Sequence, residues 1–121
     1  MTLAIQHNPF ETVEPRVWER LQCDQEAIAQ FCQAKKITEF ALFGSILRDD
    51  FRADGDRPSD IDALVVFAPN DGWSLFDILD MEQELEKLFG RKVDLTHKKN
   101  LKNPYSRSEI LNTYRVLYAD E

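Results

Sequence analysis

The sequence predicts a small α/β domain of the α+β kind, with a mixed β-sheet flanked by helices. Strand-forming stretches, ITEFALF at 37–43, IDALVVF at 61–67 and RKVDLTH at 91–97, alternate with stretches whose apolar residues recur at helical spacing. The chain has 121 residues, 43% of them hydrophobic, which allows one core without disulfides or structural metal. No linker, repeat or low-complexity tract divides it, so residues 1–121 are expected to form a single domain.

In chain order, residues 1–14 have weak periodicity and are predicted as an N-terminal arm. Pro15 suits a first helical turn, and Val17, Trp18, Leu21, Ala27, Ile28 and Phe31 continue a helical pattern to about residue 34. QCDQE at 22–26 is a candidate break that would divide that helix in two. ITEFALF ends at Gly44, and Ser45 then suits the N-cap of a short helix running to about Phe51. ADGDRPS at 53–59 is a polar loop. IDALVVF is apolar on both faces after Asp62, as expected of a central strand. PNDG makes a turn, and a helix follows from Trp73 to Phe89, its apolar face interrupted only by Glu82 and stopped by Gly90. A last helix opens at Asn103-Pro104 and runs to about Asn112, and RVLYA closes the chain as a strand or extended tail.

Net charge is −7, which disfavours nucleic acid bound along a broad surface but suits a basic protein partner or a nucleotide held through metal. No apolar run approaches ~20 residues, and the N-terminus lacks the basic and apolar regions of a signal peptide; neither membrane nor export is expected. Cys23 and Cys32, if on one helix, lie ~13 Å apart along its axis, too far for a disulfide. They are expected to be reduced thiols of a cytoplasmic protein.

Three features bear chemistry. Gly44-Ser45 follow a strand and open a turn, where glycine lets backbone approach a ligand and a helix start favours phosphate. Arg48 could reach the same anion, although by themselves these residues read better as a plain helix cap and a surface residue. Asp60 and Asp62 stand at i and i+2 of a strand, on one face, with Cα atoms ~6.7 Å apart, so both carboxylates can meet a divalent ion. Asp94 sits between Val93 and Leu95, where an acid needs a partner. If the two strands are neighbours, Asp94 lies within ~5 Å of the pair and can share the metal or take a proton. Otherwise it pairs with Arg91 or Lys92.

In this order, LFGSILRDD…SDIDALVVF…VDL resembles the nucleotidyltransferase superfamily that includes DNA polymerase beta, over about residues 20–119. The short chain is similar to the minimal nucleotidyltransferases, the MNT partners of HEPN proteins in toxin–antitoxin modules. The resemblance implies a polymerase-beta-like fold. It gives Gly44, Ser45 and Arg48 to the nucleotide, Asp60, Asp62 and Asp94 to magnesium (two ions), and catalysis to the same three acids. It implies an antitoxin that moves AMP from ATP to a tyrosine of a HEPN ribonuclease toxin, its partner. The segment 46–59 is longer than usual in the family, and Asp49 stands where glycine is common.

Two alternatives stay open: transfer to a small molecule such as an antibiotic, and an antitoxin that neutralises by binding alone. Tyr105, Tyr114 and Tyr118 fit either an interface or ordinary packing. Trp18 and Trp73 read as packing anchors, Lys98 and Lys99 as a solvated turn that could meet phosphate. His97, three residues past Asp94, falls on the opposite strand face.

Overall fold

Local capping chemistry decides where the first helices begin and end. A computed structural model of the chain describes residues 13–48, 51–52, 59–70 and 72–120. The helical stretch divides at QCDQE into α1, Pro15–Leu21, and α2, Gln25–Ala34. Gln22 adopts a left-handed backbone that closes α1, and the Asp24 carboxylate accepts the Ala27 N–H at 2.9 Å to open α2. Cys23 therefore lies between the helices and Cys32 within α2, both as free thiols. Burial pushes the Cys32 thiol up to about 12, which leaves it unreactive at neutral pH.

The strands are β1 (Ile37–Phe43), β2 (Ile61–Phe67), β3 (Val93–His97) and β4 (Arg115–Ala119). Between them lie α3 (Leu75–Phe89) and α4 (Pro104–Thr113). Helix α3 starts two residues later than its apolar pattern suggests, because Ser74 and Asp77 form a reciprocal capping box there. RVLYA becomes a true strand. The sheet order is β3-β2-β1-β4, with β2 parallel to β3 and the other pairs antiparallel. As its apolar run predicts, β2 is interior.

Strand alternation then divides the sheet into two faces. Phe40, Leu42, Ile61, Ala63, Val65, Phe67, Val93 and Leu95 join Leu21, Ile28, Met81, Leu85 and Phe89 in one core. The intervening residues of β2 and β3, Asp62 and Asp94 among them, occupy the other face. Among the described residues, no helix is long and apolar enough to cross a membrane.

Three expectations need correction. The segment after β1 is a four-residue 3-10 turn, Gly44–Leu47, and not a helix to Phe51. Ser45 does not cap it; Phe43 holds the N-cap position, with no side-chain capping bond. The reason lies in α1. Arg20 Nη1 donates to the carbonyls of Ile46 and Arg48, both at 2.7 Å, and Arg16 donates to that of Leu47 at 3.0 Å. These carbonyls would otherwise feed further helical turns. Finally, residues 13–14 are not a loose arm: Val13 is buried and Glu14 pairs with Arg115 at 2.9 Å. Residues 1–12, Asp49 and residues 53–58 lie outside the described residues.

Candidate active site

Strand register brings the acids together. Phe43 faces Asp62 across the antiparallel β1–β2 ladder, and Asp62 faces Asp94 across the parallel β2–β3 ladder. Directly paired residues share a face and lie close. Asp60 is exposed and immediately precedes β2, so it is not itself a strand residue as its spacing suggested. Its charge still acts on Asp62. The half-buried Asp62 carboxyl is raised above the ordinary carboxylate range, first by loss of water, then by Asp94 and Asp60, with Arg48 opposing. Of the two alternative partners for Asp94, Arg91 donates Nη1 to the carbonyls of Arg52 and Ser59, at 3.0 and 3.1 Å.

Gly44 is demanded by this crowding. Its φ is +81, and a Cβ there would collide with Asp62 Oδ2. The carboxylate thus lies against the backbone of the turn. Ser45 is half-buried in that turn, and the exposed Arg48 ends it, its N–H bonded to the Ser45 carbonyl at 2.9 Å. A four-residue turn builds no appreciable helix dipole. An anion held there would depend on the turn backbone, the Ser45 hydroxyl and the Arg48 guanidinium and not on a helix dipole.

Other residues singled out in the sequence are not brought to the acids. Burial alone would lower the Lys98 ammonium, but Glu39 at 3.3 Å and the Tyr114 hydroxyl at 3.4 Å outweigh it and hold it raised. Lys98 is thereby engaged away from phosphate. His97 lies against Phe67 with ring centroids 5.5 Å apart, and its Nδ1 accepts the Lys99 N–H. Trp18, Trp73 and Tyr118 pack against the core, whereas Tyr105 is 87% exposed.

Glu82, the lone polar interruption on the apolar face of α3, is tied to β3. Its carboxylate accepts the N–H of Leu95, beside Asp94, at 2.8 Å. Because β3 is an edge strand, this bond also satisfies a backbone donor there. Replacing Glu82 by alanine is expected to cost about 1–3 kcal/mol in denaturant unfolding. Glu82→Gln, which keeps an acceptor, should lose much less.

Arg52 and Ser59, on either side of residues 53–58, are bonded to each other. Ser59 N–H donates to the Arg52 carbonyl, and Arg52 N–H to Ser59 Oγ, both at 2.8 Å. Replacing residues 53–58 with Asn-Gly, a two-residue hairpin turn, is therefore expected to leave nucleotide binding within about twofold, read by calorimetry.

The donors fit a hard cation. Among the described residues, no three His, Cys, Asp or Glu side chains stand close enough to hold an ion by themselves. Asp60, Asp62 and Asp94 are therefore not placed as a ready three-carboxylate cage, and a magnesium ion there would need waters and substrate phosphates to complete its shell.

Comparison with known proteins gives the family. Residues 25–117 match the model of the nucleotidyltransferase domain family. A Methanocaldococcus jannaschii chain, provisionally named a protein adenylyltransferase, is 40% identical over 75 residues, spanning 62% of this chain and 71% of its own. The protein adenylyltransferase MntA of Thermococcus cleftensis is 35% identical over 74 residues, 61% of this chain and 69% of the relative. Among solved structures, a complex of an MNT antitoxin with the tri-AMPylated HEPN toxin of Shewanella oneidensis matches with TM-score 0.55 and 18% identity. That match covers 78% of this chain and 69% of the other.

Proposed function

Since the chain belongs to the nucleotidyltransferase domain family, we propose that it is an antitoxin that transfers AMP from ATP to a tyrosine of a partner HEPN ribonuclease. The observation that carries this is the setting of Asp62, between the backbone of Gly44 and the facing Asp94, its carboxyl raised by acidic neighbours. The names of the two adenylyltransferase relatives support the adenylyl donor, and the antitoxin complex supports the partner. The two free thiols suit a cytoplasmic setting.

In this account Asp60, Asp62 and Asp94 would hold magnesium, which when bound would neutralise phosphate charge and ease the departure of pyrophosphate. Ser45, Arg48 and the turn backbone hold the triphosphate and keep its tail fixed. The tyrosine oxygen attacks the α-phosphorus. An O–P bond forms to the tyrosine, the bond from the α-phosphorus to pyrophosphate breaks, and the phenolic proton passes to Asp94. The product places an added anion on the ribonuclease, which blocks RNA by charge and bulk. A net charge of −7 favours a basic partner.

The test is transfer of α-labelled AMP, with magnesium, to the co-expressed partner. Label on a partner tyrosine supports the proposal. Label on a small hydroxylated acceptor alone, or neutralisation that persists in an Asp60/Asp62 double alanine variant, contradicts it.

A further inference from the structure

The proposed site has two halves separated in sequence. The phosphate half ends at Arg48, and the acidic half begins at Asp60. Arg48 follows a 3-10 turn and Asp60 precedes β2, so these two edges, unlike Asp62 and Asp94, are not held by a strand ladder. Something must hold them at a fixed separation.

We infer that Phe51, gripped between Arg20 and Arg91, is the positioning residue that sets the distance between them. The Arg20 guanidinium carbon lies 5.0 Å from the Phe51 ring centroid and that of Arg91 lies 4.7 Å from it. Both distances fall within cation–π range. Each arginine also grips backbone on its own side. Arg20 Nη1 holds the Ile46 and Arg48 carbonyls, at the end of the phosphate turn. Arg91 Nη1 holds the Arg52 and Ser59 carbonyls, one residue before Asp60. Ser59 is itself buried and bonded to Arg52 through both its N–H and its hydroxyl. From there the Ile61 N–H donates to the Lys92 carbonyl at 2.9 Å, so Asp60 is pinned between two fixed neighbours.

The ring therefore does more than fill space. It keeps two cations apart that would otherwise repel across the same volume, and it couples each to the other's backbone cargo. Leucine at this position would keep apolar bulk against the core but offer no π-face. Tryptophan or tyrosine would keep the face. Arg20→Lys would keep the charge but lose the planar guanidinium that stacks on the ring while its Nη1 reaches both carbonyls.

This inference rests on the proposed nucleotide site, and its test separates the two. Hydrogen exchange is measured on the unliganded chain, then binding of a non-hydrolysable ATP analogue with magnesium, for the parent, Phe51→Leu, Phe51→Tyr and Arg20→Lys. In Phe51→Leu the amides of Arg48 and Ser59 should exchange at least tenfold faster, together, while buried amides of β2 stay protected. Analogue binding should weaken tenfold or more. Phe51→Tyr should restore both readouts, and Arg20→Lys should loosen Arg48 more than Ser59. If Phe51→Leu leaves both amides protected and binding within twofold of the parent, the inference is overturned. It is equally overturned if only one of the two amides responds. A parent that takes up no magnesium nucleotide removes the site assignment, whereas the paired exchange response is still read without ligand.

Discussion

Asp62→Asn is expected to abolish AMP transfer and to raise the thermal midpoint in the same variant. Loss of a group that stabilises transferring phosphate typically costs on the order of 10²–10³ in turnover. Stability should move the other way because the Asp62 carboxyl is raised in the folded chain, by lost water, Asp94 and Asp60. A carboxyl raised on folding binds its proton more tightly in the native state. Its favourable contribution is complete below the unfolded value of ~3.9 and is lost as pH rises through the raised folded value. At neutral pH the parent therefore carries the full penalty of an ionised, crowded Asp62, and asparagine removes it. The gap in thermal midpoint between variant and parent should be near zero around pH 3, open as pH rises, and persist at pH 7. Magnesium should narrow it by stabilising the parent. A variant less stable than the parent at pH 7 would show that Asp62 is held by favourable contacts and not crowded by acids.

Gly44→Ala is expected to damage both fold and site. A non-glycine residue forced to hold a left-handed backbone costs about 1–3 kcal/mol. Here the added Cβ also collides with Asp62 Oδ2, so the carboxylate or the turn must move. The signature is coupling. Combining Gly44→Ala with Asp62→Ala should cost less stability than the sum of the two single changes, since the second removes the clashing atom. Additive costs would mean that the turn and the acid do not touch. Transfer by Gly44→Ala should fall steeply, because both the turn and Asp62 are displaced.

The facing of Asp62 and Asp94 was legible in the sequence because strand alternation leaves little freedom once the two strands are neighbours. The expected strand position of Asp60 was not met, since β2 begins one residue later. The β2–β3 register makes Asp62 and Asp94 direct partners. Glycine at 44 was also visible, but for a different reason. The sequence suggests approach of a ligand, whereas the fold adds the need to admit the Asp62 carboxylate.

What was not legible depended on residues far apart in the chain. Ser45 followed by apolar residues looks like a capped helix, and local propensity offers no reason to stop it at Leu47. The reason is side-chain capture of the Ile46, Leu47 and Arg48 carbonyls by Arg16 and Arg20, 26 to 31 residues away. The roles of Phe51 and Arg91 were hidden likewise, since neither residue type marks a stacking partner by itself. Glu82 did leave a trace, as an acid on an otherwise apolar helical face. Its explanation needed the position of the Leu95 N–H.

The most direct measurement is calorimetric titration of the intact chain with a non-hydrolysable ATP analogue, with magnesium and then with excess chelator. It is to be repeated on Asp62→Asn and Asp94→Asn. Saturable uptake that requires magnesium and falls at least tenfold in both variants is the predicted result. No uptake by the parent, or uptake indifferent to chelator and to both substitutions, would contradict a magnesium–nucleotide site built from these acids.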